Sequence, residues 1–289
     1  MCYFSNEEKR KDYLKLGTIS DEDIEKIAKN FFGQALKLQI GCGAEPTLYK
    51  NNSTLIKLAK NYGVPYISFT TNANNYDFEQ WQELLKCGLD EITISLHGIS
   101  SPKYEYFMTG GKYEKFVSSF RILSEMKKIF KTFKLRINFT VNEDNIDDLA
   151  NFFDVFNDVN FDVFQIRPIY DIGDSEYKNF SWKAIIEKYS DIIEKLQKEC
   201  IKRKITILYP EIKEISLNKF EKPVSNIIES TYFYFKPNFY FKDDYDLQKE
   251  NFKQYAKRTK IKYKLFKNIF NRTSETNKKY LNYNISGKG

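Results

Sequence analysis

Hydrophobic and polar residues alternate along short stretches of this chain, and amphipathic stretches with a helical period separate those stretches. Alternation at every second residue is typical of β-strands, whereas apolar residues three and four positions apart indicate helices. The predicted strands are Leu36–Ile40, Tyr66–Thr71, Glu91–Leu96, Lys134–Val141, Asp162–Pro168 and Lys204–Tyr209. The predicted helices run from the cap Ser20 to Gly33 and over Ser53–Tyr62, Asp77–Cys87, Lys112–Phe130, Asn145–Phe156 and Ser181–Cys200. This order predicts βαβ units and a parallel sheet.

One face of four successive predicted strands is polar. Its residues are Ser68, Thr70, Asn72, Thr93, Ser95, His97, Arg136, Asn138, Thr140, Gln165 and Arg167. A closed α/β barrel normally fills its interior with bulky branched side chains. The polar face therefore predicts a wide or incompletely closed barrel with a polar ligand inside. An antiparallel sheet with one face in water is the alternative.

Charge is distributed unevenly along the chain. Between Lys249 and Lys288 there are twelve Lys or Arg and two Glu, a net charge of +10, whereas the whole chain carries +7. We therefore expect a barrel domain at 1–210 and a basic extension at 211–289, with little support for nucleic-acid binding by the barrel. The stretch Phe252–Phe270 predicts a basic amphipathic helix. Such a helix lies on a membrane, a nucleic acid or a partner, or packs on its own domain with a solvated basic face.

The remaining composition excludes several classes of protein. The N-terminal segment is too charged for a signal peptide, and no apolar run approaches the ~18 residues of a membrane span. The four cysteines, at positions 2, 42, 87 and 200, form no CxxC pair, which argues against a disulfide framework and a complete zinc site. The sequence predicts a cytoplasmic protein.

Unusual residues follow the predicted strands at their carboxyl ends, where barrel enzymes place their sites. The turn Gly43-Ala44-Glu45-Pro46 follows the first strand, and its backbone carbonyls beside Glu45 would suit an ammonium group. A tight strand-to-helix turn is the alternative. Arg136 and Asn138 point towards the interior by parity. Arg136 would bind a carboxylate of a ligand or pair with an acid of the protein.

These residues together resemble the radical S-adenosylmethionine (SAM) family. The resemblance covers Cys2 to about Pro168 and rests on Cys2, Gly43-Ala44-Glu45-Pro46, Thr70-Thr71-Asn72-Ala73, Ile94-Ser95-Leu96-His97-Gly98 and Arg136 to Asn142. It implies a partial (β/α)6 TIM-like barrel, a [4Fe-4S] cluster and SAM. It also implies reductive cleavage of SAM to a 5′-deoxyadenosyl radical, with a reductant such as flavodoxin or ferredoxin. The substrate, a peptide or a small molecule, stays open.

Residue roles follow from the resemblance by position. Cys2 would be the third thiolate ligand of the cluster, unless it is an incidental thiol. The residues that would bind SAM are Gly43, Ala44, Glu45, Pro46, Asn72, Ser95, Arg136 and Asn138. Ser95 has the alternative role of capping a turn. His97, the single histidine, would contact substrate or satisfy a turn.

The family's CxxxCxxC run is represented here by Cys2 alone, and a barrel strand is expected before it. We therefore expect a longer functional parent, with this chain inactive as it stands. The competing functions are a non-catalytic barrel that binds a ligand or a partner, and an RNA- or membrane-associated protein that acts through its basic tail.

Overall fold

A computed structural model describes most of the chain. The described residues are 7–15, 17–41, 44–169, 177, 181–212, 231–237, 239–240, 245–270 and 284–285. Within them the helices are α1 Glu7–Lys15, α2 Asp21–Phe31, α3 Asn52–Asn61, α4 Phe78–Lys86, α5 Ser101–Phe107, α6 Tyr113–Met126, α7 Ile146–Ala150, α8 Phe152–Val155, α9 Trp182–Arg203, α10 Phe252–Arg258 and α11 Ile261–Phe270. The strands are β1 Lys37–Ile40, β2 Tyr66–Thr71, β3 Glu91–Leu96, β4 Lys134–Val141, β5 Val163–Pro168, β6 Thr206–Tyr209, β7 Phe235–Lys236, β8 Phe239–Tyr240 and β9 Asn284–Ile285.

The first six strands form a parallel sheet in the order of the chain, and β9 joins β6 antiparallel. Helices connect the consecutive strands, which is the α/β arrangement of a partial (β/α)6 TIM-like barrel. The antiparallel alternative is therefore excluded for these six strands. The expected fold class is confirmed.

The two faces of the sheet differ as the alternation predicts. On the outer face, Phe69 lies edge-on to Trp81 of α4, and Phe164 lies 4.5 Å from Phe152 of α8 between ring centroids. These side chains and their neighbours on β2, β3 and β4 are fully buried in the main hydrophobic core. The inner face carries Ser68, Thr70, Glu91, Thr93, Ser95, His97, Arg136, Asn138, Thr140, Gln165 and Arg167. Burial of the outer face fixes which residues line the inner one.

Side-chain caps at their N-termini explain where some helices begin. Ser20 accepts from the amide of Asp23 at 3.1 Å at the start of α2. Asp77 and Gln80 form a capping box at the start of α4. These caps satisfy amides that have no partner within the helix.

The C-terminal extension differs from its prediction in one respect. The expected helix Phe252–Phe270 is two helices, α10 and α11, because Lys260 adopts a left-handed backbone with φ of 55°. The pair packs on the barrel through Phe252, Tyr255 and Ile261. Its apolar side therefore agrees with the alternative in which the helix packs on its own domain. None of the described helices is long and apolar enough to cross a membrane.

Candidate functional site

The turn after β1 is held by the carboxylate of Glu45. Its Oε1 accepts hydrogen bonds from the Thr47 amide at 3.2 Å, the Thr47 hydroxyl at 2.6 Å and the Thr71 hydroxyl at 2.6 Å. Its Oε2 accepts from the Asn72 amide at 2.8 Å. Glu45 also caps the 3₁₀ turn Pro46–Leu48, in which Pro46 and Thr47 are buried. The side chain therefore joins the turn to the end of β2, while the backbone of Ala44 and Glu45 lies at the carboxyl edge of the sheet.

The segment after β2 is fixed by its own polar network. Asn72 Oδ1 accepts from the Asn74 amide at 3.0 Å, and Asn74 Nδ2 donates to the hydroxyl of Tyr104 at 2.6 Å. Ala73 between them is fully buried and has φ of 58°, a conformation unusual for an alanine. The turn is therefore tightly constrained, with the half-buried Asn72 at the sheet edge.

Ser95 and Asn138 are neighbours on the inner face. They are direct register partners of β3 and β4, and both are half-buried. Asn138 Oδ1 is buried and has no hydrogen-bond partner among the described residues. Buried polar groups are normally paired, so this acceptor indicates a place for a donor.

His97 lies one step further towards the carboxyl edge, beside β4. Its Nδ1 is buried without a partner among the described residues. Burial lowers the pKa of the His97 imidazole to about 3. His97 is therefore neutral at physiological pH.

A second group of charged residues lies deeper on the inner face, near the amino ends of the strands. Arg136 Nη2 donates to Glu91 Oε2 at 2.9 Å, and Arg136 Nη1 donates to Gln165 Oε1 at 3.3 Å. Tyr66 donates its hydroxyl to Glu91 at 2.8 Å. We call Tyr66, Glu91, Arg136 and Gln165 the floor cluster. Of the alternatives for Arg136, the structure contains the one in which it pairs with an acid of the protein.

Burial and pairing act in opposite directions on the floor cluster. Burial alone would raise the pKa of the Glu91 carboxyl, but the hydrogen bond and charge of Arg136 hold it below its ordinary value. Burial raises the pKa of Tyr66, and its bond to Glu91 raises it further. The cluster therefore contains an ionised carboxylate and a neutral phenol at neutral pH.

The cysteines divide into two sets. Cys2 and Cys42 lie outside the described residues, as does Gly43 of the turn. Cys87, at the end of α4, and Cys200, in α9, are free thiols. Burial raises the pKa of both thiols, that of Cys200 to about 12. Neither is a reactive thiolate, and the described residues hold no cluster of three or more metal-ligating side chains.

The sequence analysis singled out the loop after β4 but did not predict the hydrogen bonds that its residues make. Asn145 is fully buried, and its Nδ2 donates to the carbonyls of His97 at 2.8 Å and Thr140 at 2.9 Å. Its Oδ1 accepts from the Asn142 amide at 2.7 Å. Asn145 thus ties the ends of β3 and β4 together. The cluster of polar residues directly after a strand was the available signal.

Comparison with known proteins places this geometry in context. A model of the Radical SAM superfamily matches residues 1–156, more than half of the chain. Among curated proteins, the chain is 25% identical over 209 residues to a "Probable GTP 3′,8-cyclase" from Archaeoglobus fulgidus, covering 72% of this chain and 68% of the relative. Proteins of the same name from Sulfurisphaera tokodaii and Saccharolobus islandicus are 24% and 26% identical, over 68% and 54% of this chain. Those alignments span 59% and 49% of the relatives' lengths.

Solved structures share the fold. Native anSMEcpe with bound AdoMet matches with a TM-score of 0.51 and 17% identity, covering 65% of this chain and 55% of that one. SuiB of Streptococcus suis bound to S-adenosylmethionine matches with a TM-score of 0.52 and 14% identity, over 71% of this chain and 48% of that one.

Proposed function

Because this chain belongs to the radical SAM superfamily, we propose that it binds SAM at the carboxyl edge of its sheet and directs radical chemistry at a substrate on the inner face. Membership implies a [4Fe-4S] cluster and SAM as cofactors. When bound, they supply a 5′-deoxyadenosyl radical that abstracts a hydrogen atom from the substrate. The protein's contribution is to bind, to orient and to exclude water.

The described residues fit SAM. SAM carries an amino group and ribose hydroxyls as donors, and Asn138 Oδ1 is a buried acceptor without a described partner. The backbone carbonyls of Ala44 and Glu45 lie in the turn that the Glu45 carboxylate holds in place. This carboxylate accepts four hydrogen bonds from the protein, so we propose that the carbonyls of the turn, rather than the side chain, receive the SAM amino group. Asn72 and Ser95 complete the proposed contacts.

Three predicted positions enter this proposal differently. Cys2 and Gly43 lie outside the described residues, and their roles as cluster ligand and SAM contact stay predictions. Arg136 is engaged with Glu91 and Gln165, so we leave it out of the proposed SAM contacts.

The observation that carries the proposal is the polar inner face beneath the Glu45 turn, in a chain that the family model matches over more than half its length. The curated relatives are named as probable GTP 3′,8-cyclases. GTP is therefore our first candidate substrate.

Anaerobic reconstitution tests the proposal on the full chain. The protein is loaded with iron and sulfide and given SAM with dithionite, or with flavodoxin or ferredoxin as the proposed physiological reductant. We expect SAM binding by calorimetry. Release of 5′-deoxyadenosine, with consumption of GTP if GTP is the substrate, would show that this chain is active and would contradict its expected inactivity. SAM binding that is absent both with and without iron would refute the proposed function.

One sequence feature favours a second candidate, a barrel that binds SAM without cleaving it. The four cysteines at positions 2, 42, 87 and 200 form no CxxxCxxC run in these 289 residues. This candidate predicts that SAM binds equally well before and after reconstitution and that no 5′-deoxyadenosine forms. The same experiment therefore separates the two.

A further inference from the structure

Helix α11 is apolar on one side and both basic and aromatic on the other. Ile261 is buried, and Leu265, one turn later, packs against the core. The opposite side is exposed, and we call its residues the outer face of α11: Lys262, Tyr263, Lys264, Phe266 and Lys267. The packing that holds the helix on the barrel therefore leaves most of this face in solvent.

The charge around the outer face has one sign. Over residues 251–270 the sequence contains seven Lys or Arg and no Asp or Glu. Arg258 pairs with Glu250, whereas the three lysines of the outer face form no ion pair with the described residues. Clustered lysines without acidic neighbours create a positive potential at the surface, and that potential attracts a partner rich in negative charge.

Two exposed rings narrow the class of partner. Tyr263 and Phe266 are 63% and 60% exposed, and residues three positions apart are neighbours on a helix surface. Proteins that bind single-stranded nucleic acid without reading its sequence combine aromatic rings, on which bases stack, with cations along the phosphates. The outer face of α11 offers both elements within two helical turns.

Two other classes of partner fit this face less well. A helix that lies on a membrane buries its apolar side at the lipid boundary, but in α11 that side, with Ile261 and Leu265, is packed against the protein's own core. Protein–protein interfaces are depleted in lysine, whereas every cation of the outer face is a lysine. The charge and the rings together therefore favour nucleic acid.

We propose that the outer face of α11 binds single-stranded nucleic acid, with bases stacked on Tyr263 and Phe266 and phosphates held by the lysines around them. RNA and DNA share the chemistry that this face recognises. The inference goes beyond the proposed function and does not depend on it, because this binding requires neither SAM nor a cluster. It gives the C-terminal extension a role separate from that of the inner face of the barrel.

Fluorescence anisotropy with the full chain tests the inference. The labelled probes are oligo(U) and oligo(dT) of about twelve nucleotides and a DNA duplex of the same length. We expect at least one single strand to bind more tightly than the duplex, with an affinity that falls steeply between about 50 and 200 mM salt. Vesicles of phosphatidylserine and phosphatidylcholine are the membrane probe, and we expect no binding to them at the higher salt.

Ring variants measure the stacking. Tyr263→Ala and Phe266→Ala should each weaken single-strand binding by about tenfold, whereas Tyr263→Phe keeps a ring and should bind like the wild type. The matched control is Tyr106→Ala, at a tyrosine of α5 that is 70% exposed, and it should leave binding unchanged. Because all these side chains are exposed, unchanged thermal midpoints will show that the variants are folded.

A charge variant measures the phosphate contacts by replacing the three lysines of the outer face: Lys262→Gln, Lys264→Gln and Lys267→Gln. The slope of log affinity against log salt should fall by about one for each phosphate contact that is lost. Its control removes the same charge from three exposed, ion-paired lysines of α9: Lys195→Gln, Lys198→Gln and Lys202→Gln. The control should keep the slope of the wild type.

Four results would overturn the inference. Neither single strand might bind at the lower salt, or vesicles could bind while the oligonucleotides do not, which would assign the face to a membrane. Equal binding of duplex and single strands, unaffected by the loss of either ring, would show a surface that attracts any polyanion. Equal losses in the α9 and α11 charge variants would show that only net charge matters. All four are measured without SAM, so a failure of the proposed function leaves them unchanged.

Discussion

The carboxylate of Glu45 is a structural part of the turn that we assign to SAM. It accepts four hydrogen bonds from Thr47, Thr71 and Asn72. A Gln amide nitrogen cannot accept, so Glu45→Gln leaves some of these donors unpaired. We expect a loss of about 1–3 kcal/mol in the free energy of unfolding and weaker SAM binding, measured by urea denaturation and calorimetry.

The matched control for this prediction is Glu79→Gln. Glu79 lies exposed in the first turn of α4, and its replacement should change stability by less than ~0.5 kcal/mol. Equal effects of the two variants would show that the Glu45 network does not hold the turn.

The Arg136–Glu91 ion pair of the floor cluster is nearly removed from solvent, with side-chain exposures of 20% and 5%. Arg136→Met leaves a buried carboxylate without its cation, and we expect a loss of about 3–5 kcal/mol at pH 7. Because Arg136 lies outside the proposed SAM contacts, the loss should appear in urea denaturation more than in SAM affinity.

The stability loss of Arg136→Met should depend on pH, and the pKa of Glu91 gives the direction of that dependence. In the wild type, the lowered pKa of Glu91 contributes stability above its ordinary value of 4.5, and this contribution is lost as pH falls through the folded-state value. In Arg136→Met, burial is opposed only by the Tyr66 hydrogen bond and the charge of Lys37, so the pKa of Glu91 rises and protonation relieves the penalty. The stability difference between the two proteins should therefore shrink as pH falls from 7 towards 4.

A double variant is the control for this pair. Glu91→Gln with Arg136→Met removes both charges, and its stability difference from Arg136→Met should fall away at acid pH. If the deficit of Arg136→Met were the same at pH 4 and pH 7, Glu91 would not be the cause.

The start of the loop after β1 depends on a glycine. A Cβ at Gly41, where φ is +78°, would lie 2.6 Å from both Pro46 Cγ and the Thr70 carbonyl oxygen. Gly63 has a similar φ of +83°, but a Cβ there meets nothing within 4 Å. Gly63→Ala should therefore lower the free energy of unfolding only by the cost of holding an alanine in the left-handed conformation, about 1–2 kcal/mol. Gly41→Ala should cost more and also weaken SAM binding.

Urea denaturation and calorimetry of the two variants separate the effects. Because the φ angles of the two glycines are similar, the excess loss in Gly41→Ala measures the clash with Pro46 and Thr70. Indistinguishable losses, with SAM affinity retained in both, would contradict a role for close packing at this turn.

The strands were predictable because burial on one side imposes a period of two. The bounds of β2, β3 and β4 agree with the sequence prediction to the residue. The helices were less predictable. The expected helix Asn145–Phe156 is two short helices that meet at Asn151. The sequence analysis missed α5 because seven residues are too few to show a helical period.

The contacts of the candidate site were harder to predict than its lining. Parity alone places Ser95 and Asn138 on the inner face. The bonds of Glu45 to Thr71 and of Arg136 to Glu91 join residues 26 and 45 positions apart. Such pairs depend on the register between neighbouring strands, and the residue pattern of a single strand carries no information on that register.

The extension is attached to the barrel by an aromatic cluster around Phe31 of α2. The Phe31 ring lies 4.9 to 5.6 Å from the rings of Phe233, Phe235, Tyr245 and Phe252. The boundary between domains at residue 210 stays a prediction, but the described part of the extension is packed rather than separate.

Phe31→Ala should loosen this attachment. We expect a loss of about 3–5 kcal/mol in stability and faster tryptic cleavage at the many Lys and Arg of α10 and α11. Limited proteolysis followed by mass spectrometry locates the cuts. Phe78→Ala, at a side chain that is 38% exposed, is the control. If both variants were cleaved as slowly as wild type, the cluster would not anchor the extension.

The order of the strands has a consequence for how the chain is made. Each of β2 to β6 pairs with the strand that precedes it in the sequence, so each strand leaving the ribosome finds its neighbour already synthesised. The connections closed in this way run from 19 to 37 residues, and because the entropy cost of closing a loop grows only slowly with its length, no step costs much more than another. The barrel can therefore assemble in the direction of translation, and the extension, which is translated after the barrel, closes onto α2.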